Sequence, residues 1–396
     1  MSRIEEMTRL DSRQVRLAAS LDVQAVEREL GGLWKEHASA TVPDEETTGA
    51  TMRARVLNLM IYEASGSAVD AINETLRSVS SLHPCRALLM LAEKDGPDRD
   101  IELFIDAYCQ ANTDAGPRAL CCEQVTLKAS GRYVQELPSA TTPLLVPDLP
   151  VFLWWRDSFG SEGAVFKNLG RAADRLVLDS TLFRAPQEEL LALVQFLQSK
   201  RAAGLAVSDF NWSRLTSWRT LLAGFYDVTD YLAPLSRLAR VRIEYVAASA
   251  DESAVAPQAL MMAGWLASRL GWKDAAATGD GARSLTVQGG QGRLTLEFER
   301  VTRPEMKPGR LASVGLHTEG DAPASFVVRR SPDGLYLETQ AHCASEVSSS
   351  RVLPVRNRSE AVLLGRELEI IGRDSIYEEA VGAAAPMIEL LGGSPG

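Results

Sequence analysis

Residues 151–155 read Val-Phe-Leu-Trp-Trp, five consecutive apolar side chains bounded by Pro150 and by Arg156-Asp157. A strand with one face in water alternates apolar and polar residues, and two adjacent tryptophans carry too much apolar area for such a strand. The run is therefore expected to be a short strand buried on both faces, the condition of strands inside helix-covered sheets. The switch to charge at Arg156-Asp157 marks its carboxyl end, where the chain leaves the sheet. The tryptophans are expected to pack under flanking helices such as 217–227.

Neighbouring segments extend that picture. Residues 161–173 can form a helix, and "DRLVLDS" (174–180) repeats the pattern of a short apolar run ending in polar residues, here Asp179-Ser180. Strand, helix and strand make a β-α-β unit, whose crossover is right-handed. Upstream, "RARVLNLMIYE" (53–63) and "CRALLMLAE" (85–93) read as strands. Between them lies a helix with Val69, Ile72, Leu76 and Val79 on one face, closed by Pro84. "IELFIDAYC" and "CCEQVTLKAS" read as further strands, and 131–146 has no clear period. Val26, Leu30, Leu33 and Trp34 recur at helical spacing within 23–37. Residues 1–20 are polar and expected to be loose, and 38–51 to be a loop. Pro186 opens a long helix that Gly204 follows. Trp218, Leu221, Leu222 and Phe225 fall at i, i+3, i+4 and i+7, with Thr216 placed as N-cap.

"RVRIEYVAA" (240–248) is a strand able to extend either of two sheets. A helix over 257–272 ends around Gly271. Beyond it, alternating strands separated by turns at 289–292 and Asp333-Gly334 predict a meander with one wet face. Residues 359–391 are mostly helical. The fold class expected is an α/β N-terminal half with a helix-covered, largely parallel or mixed sheet, joined to an α+β C-terminal half with an antiparallel meander. The corresponding regions are an N-terminal segment with one helix (1–40), an α/β domain (41–235) and an α+β domain with C-terminal helices (236–396).

The chain has 396 residues and a net charge of −10 at pH 7, a balance that disfavours general binding to nucleic acid or anionic membranes. The opening residues lack the apolar core of a secretory signal, and no run approaches the ~20 apolar residues of a membrane span, so a cytoplasmic location is expected. Cys85, Cys109, Cys121, Cys122 and Cys343 are odd in number, contain no CxxC and read as reduced core residues.

In open α/β sheets, ligands lie outside the carboxyl ends of parallel strands. Arg156, Asp157, Asp179 and Ser180 are therefore a candidate ligand crevice for a sugar, a phosphate or a partner loop. The competing reading is a solvated junction in which Arg156 and Asp157 pair locally. Trp212, Arg214 and Arg219 are candidate partner contacts, because Trp and Arg are enriched at interface hot spots; Trp154, Trp155 and Trp218 are assigned to the core. "GDGARS" (279–284) lacks the third glycine of a dinucleotide fingerprint. His37, His83, His317 and His342 are scattered, metal-ligand spacing is missing and no nucleophile elbow occurs. No catalytic residue, metal or cofactor is assigned, which in a chain of enzyme size points to a regulatory or scaffolding role.

Several segments together resemble one family. "RARVLNLMIYE", "HPCRALLM", "CCEQVTL", "TTPLLVPDLPVFLWWRD", "ADRLVLDS" and "DFNWSRLTSWRTLLAGFYD" are similar to OpcA, the glucose-6-phosphate dehydrogenase assembly protein of cyanobacteria and actinobacteria. The likeness is strongest over 53–227 and looser through "GWLASRLGW" to the meander. It departs at Ser217, where the family usually has proline. The resemblance implies a non-enzymatic partner that binds glucose-6-phosphate dehydrogenase, promotes its active oligomer and raises its activity, in the pathway that supplies NADPH. Thioredoxin-dependent control, known for cyanobacterial members, is not expected here, because no cysteine pair is spaced in sequence for a regulated disulfide. The alternative is a sensor or enzyme that binds sugar phosphate in the strand-end crevice near Asp157 and Asp179.

Overall fold

In the computed structural model two compact units are interleaved along the sequence. The first comprises Met1–Leu178, Ala203–Ser208 and Ser359–Arg373; the second comprises Asp179–Ala202, Asp209–Arg358 and Asp374–Gly396. The structure describes residues 8–9, 13–15, 22–40, 55–64, 66–80, 82–112, 118–160, 163–199, 204–247, 254–278, 283–290, 292–320, 322–343, 346–347, 350–355, 359–370 and 372–392. Most of the segment 1–20 and of the loop expected over 38–51 lies outside them.

The first sheet holds β1 (Thr8–Arg9), β2 (Arg13–Val15), β3 (Leu57–Glu63), β4 (Cys85–Glu93), β5 (Arg99–Asn112), β6 (Arg118–Ser130), β7 (Val151–Arg156), β8 (Arg175–Leu178) and β9 (Ala206–Asp209). Its order is β1-β5-β6-β4-β3-β7-β8-β9, with β2 also on β5. The run β6-β4-β3-β7-β8 is parallel throughout, whereas β5 is antiparallel to β6 and carries antiparallel β1 and β2. Helix α1 (Val23–Ala40) precedes β3, α2 (Val69–Ser80) joins β3 to β4, and α4 (Ala164–Ala172) joins β7 to β8. The stretch 131–144 is a series of short helical turns, including α3 (Leu137–Thr141).

β7 lies between β3 and β8, and all six of its residues are buried. Trp155 stacks on Tyr62 of β3 at 4.2 Å between ring centroids and meets Phe166 of α4 edge-on at 5.1 Å. The apolar run is thus a central strand, as its composition requires. Farther along the sheet, Arg86 and Glu123 sit opposite each other on β4 and β6 and form a buried pair, with Nη2 to Oε2 at 2.8 Å. Arg55 adds a second guanidinium to Glu123 at 3.0 Å.

The second sheet holds β10 (Leu238–Val246), β11 (Lys273–Ala277), β12 (Ser284–Gly289), β13 (Gly292–Val301), β14 (Leu311–Thr318), β15 (Ser325–Arg330), β16 (Tyr336–Cys343), β17 (Glu346–Val347) and β18 (Arg351–Pro354). Its order is β11-β12-β13-β10-β14-β15-β16-β17, with β18 also on β16. The strand whose membership the sequence leaves open, β10, is the middle of this sheet. It is parallel to β13 and antiparallel to β14, and the other pairs are antiparallel. β12, β15 and β16 alternate buried with accessible residues, as a sheet with one wet face must.

Helices of the second unit are α5 (Pro186–Gln198), α6 (Phe210–Arg214), α7 (Thr216–Tyr226), α8 (Thr229–Leu235), α9 (Pro257–Leu270) and α11 (Ser375–Gly392); α10 (Glu360–Glu369) belongs to the first. α9 ends on Gly271 in the left-handed region, φ 68°, where glycine carries no Cβ penalty. Thr216 is the first residue of α7 and not its cap: Leu215 keeps helical geometry after α6, and the Thr216 hydroxyl donates to Ser213 O at 2.8 Å. Gly264 lies where α9 meets α11, so close that a Cβ there would run into Ala380 O and Ala384.

Candidate functional site

In the first unit, β7 ends in Arg156 and Asp157, and both are engaged. Arg156 is buried beside its register partner Glu63, donating from Nε to Oε2 at 3.0 Å, and its Nη1 donates to Glu360 of α10 at 2.9 Å. Its guanidinium also lies 4.6 Å over the Trp154 ring. Asp157 is half-buried, its side chain 5% exposed, and it forms an ion pair with Lys94, whose ammonium lies over Tyr62 at 5.8 Å. The charges that follow the apolar run are therefore held by neighbours at the carboxyl ends of the central strands.

In the second unit, Asp179 and Ser180 anchor a buried polar network. Asp179 caps a short 3₁₀ turn, accepting from the Thr181 amide at 3.1 Å and its hydroxyl at 2.6 Å. Arg214, at the end of α6, grips the same carboxylate with both nitrogens at 2.7 and 2.8 Å. Burial, the largest influence, pushes the Asp179 carboxyl up, but the hydrogen bonds and charge of Arg214, with Thr181, hold it below its ordinary value.

Deeper in the same unit lies Asp209, a residue the sequence did not single out. It caps α6: its Oδ1 accepts from the Asn211 amide at 2.8 Å and from the Ser180 amide at 3.1 Å. Its Oδ2 is buried without a hydrogen-bond partner among the described residues. Burial first, and then the charge of Asp179, push this carboxyl up to about 6. Asn211 carries the network outward, donating to Ser180 Oγ at 3.1 Å and accepting from Gln258 of α9 at 2.6 Å. Gln258 in turn accepts from the amide of Leu311, the first residue of β14, at 3.0 Å.

Of the candidate contacts on α6 and α7, Trp212 is 3% exposed and donates from its indole to Asp374 at 2.9 Å. The Arg219 guanidinium carbon lies over its ring, 3.3 Å from the centroid. Burial pulls the Arg219 guanidinium down to about 10 against the opposing charge of Asp374. Trp212 is an internal platform that positions Arg219, and Arg214 spends its fork on Asp179.

The structure also joins two cysteines far apart in sequence. Cys85 and Cys122 stand on the neighbouring strands β4 and β6 with sulfurs 3.1 Å apart, and Cys122 donates to Cys85 O at 2.6 Å. The Cys85 thiol is held well above its ordinary value, first by its hydrogen bond with Cys122 and then by burial. Among the described residues no group of three or more His, Cys, Asp or Glu is placed to hold a metal ion, and no helix is long and apolar enough to cross a membrane.

A largely parallel, helix-covered sheet in one unit and a largely antiparallel sheet in the other define a two-unit protein, α/β followed by α+β. Its strand-end charges are organised as capped and paired networks. Residues 77–195 match the family described as glucose-6-phosphate dehydrogenase subunit N-terminal domain, and 205–381 match the corresponding C-terminal domain. The chain belongs to the OpcA family. It is 28% identical over 317 residues to the OxPP cycle protein OpcA of Nostoc punctiforme, covering 78% of this chain and 66% of that one. The Synechococcus elongatus protein of the same name is 26% identical over 357 residues, covering 87% and 76%. The chain thus spans about two thirds to three quarters of the length of these relatives. Among solved structures, an NAD-binding oxidoreductase from Klebsiella pneumoniae is similar at 12% identity and a TM-score of 0.47, covering 85% of this chain and 96% of that one.

Proposed function

We propose that this chain is a non-catalytic partner of glucose-6-phosphate dehydrogenase that favours the enzyme's active oligomer in the cytoplasm and thereby supports NADPH supply. The family match over both units is the observation that carries this reading. Site chemistry is compatible with it. Asp179 is clamped by Arg214 and held ionised, which suits a structural anchor better than a proton-transferring group matched to neutral pH.

A partner activates only if it binds the active state of the enzyme more tightly than the inactive one. A coupling of roughly 1–3 kcal/mol corresponds to about 5–150-fold in affinity. We place the contact on the α6–α7 segment, with Arg219 presented on the Trp212 platform and Arg214 fixing the end of α6. The test mixes the chain with the dehydrogenase of the same organism and follows size-exclusion elution and NADPH formation. Co-elution with a raised rate or lowered KM is expected, and Arg219→Ala should weaken both. Separate elution with an unchanged rate would sink the proposal; an intact complex in Arg219→Ala would move the contact elsewhere.

A further inference from the structure

Arg310 stands between Gly309 and the start of β14. Its backbone is pinned to the end of β10: Arg310 O accepts from Val246 N at 2.8 Å, and Gly309 N donates to Val246 O at 2.7 Å. The next residue, Leu311, is tied to the buried network through Gln258. Among the described residues, the half-buried Arg310 guanidinium has no hydrogen bond or ion pair. The guanidiniums of Arg214 and Arg330 repel its charge and the carboxylate of Asp179 attracts it. That carboxylate is already gripped by both nitrogens of Arg214. Arg330, also half-buried, spends one nitrogen on Gly334 O at 3.2 Å, keeps a buried Nε with no partner among the described residues, and lies 6.0 Å from the Trp218 ring.

β14 and β15 are antiparallel neighbours with Ser313 opposite Arg329, which puts Arg310 and Arg330 at the same end of the strand pair, and both hold unspent, partly desolvated donors. Removing a cation from water without a counter-charge is costly, and structural arginines are ordinarily paired. A fork of unspent N–H donors matches the oxygens of a phosphate group in geometry and charge, and the charge left over after Asp179 suits a dianion. We propose that Arg310 and Arg330, with Arg214 beside them, form a binding site for a phosphate group, presented free or as the monoester of a small metabolite. The pull of burial and of Arg214 on Arg310, which lowers it to about 10, fits a cation awaiting an anion. The site lies wholly within the second unit and does not depend on the dehydrogenase partnership.

The test titrates the full chain with inorganic phosphate, then with glucose 6-phosphate and with glucose, at matched ionic strength. Calorimetry and thermal unfolding are the readouts. Saturable binding of phosphate with a rise in Tm is expected, and glucose alone should give neither. Tighter binding of glucose 6-phosphate would assign an ester as the source, and equal or weaker binding would assign free phosphate. Arg310→Met should weaken phosphate binding by roughly tenfold or more, the scale of a lost charge-assisted contact. The same variant should raise the Tm of the ligand-free protein, because it removes an uncompensated charge; a merely structural arginine would give the opposite sign. Arg310→Lys, which keeps the charge but not the fork, should retain folding and bind in between. Absence of saturable binding, an equal response in Arg310→Met, or a fall in ligand-free Tm in that variant overturns the site.

Discussion

At the residue scale, the second unit separates two aspartates by environment. Asp179 meets a guanidinium and stays ionised; Asp209 lies beneath it with one oxygen unpartnered and is driven toward the neutral form. Asp209 therefore takes up a proton in the folded protein at a pH where the unfolded chain has lost it. Stability from this group is greatest below its unfolded value and declines as pH rises toward about 6. Asp209→Asn keeps the Oδ1 acceptor for Ser180 and Asn211 but removes the charge. Its stability relative to the parent should climb between about pH 4 and 6 and level off on the order of 3 kcal/mol above, read by urea unfolding across pH. A flat difference would show that Asp209 is not charged at the cost described. Asp179 has the opposite sign, its contribution being present above the ordinary carboxylate range and lost in acid. Asp179→Asn strips Arg214 of its counter-charge and should cost about 3–5 kcal/mol at neutral pH, the range for breaking a buried pair. Sequence shows which residues end a strand, so Asp179 and Ser180 stand out as polar groups at a strand's end. It cannot show that Arg214, 35 residues on, closes on Asp179, nor that Asp209 lies beneath both.

At the element scale, the most legible features were those written by composition over consecutive residues. Val151–Arg156 is buried throughout because no residue in the run tolerates water, and α9 stops on Gly271 because only glycine adopts that backbone without strain. Features that depend on pairing were not legible. The membership of β10 is decided by register with β13 and β14, and Cys85 meets Cys122 only because β4 and β6 are neighbours. Thr216 illustrates a smaller miss: a residue of N-cap type is no cap when the preceding turn continues helical through Leu215. The contact of α9 with α11 rests on Gly264, and Gly264→Ala would press a methyl group against the Ala380 carbonyl. The expected loss is about 1–3 kcal/mol despite alanine's better helix propensity, measured by thermal unfolding. An increase in Tm would mean that the two helices separate at little cost.

At the scale of the whole molecule, each unit is assembled from segments that alternate along the chain. The sequence made both sheets readable because their textures differ, near-continuous apolar runs in one and strict alternation in the other. The interleaving was not readable, because the tail 359–391 looks like one helical region although α10 and α11 serve different units. This arrangement governs biosynthesis. Arg156 leaves the ribosome 204 residues before Glu360, the carboxylate that completes its pairing. At about 5–20 residues per second, the nascent first unit waits roughly 10–40 s for its last helix. A chain cut short before residue 359 would therefore lose part of its beginning as well as its end.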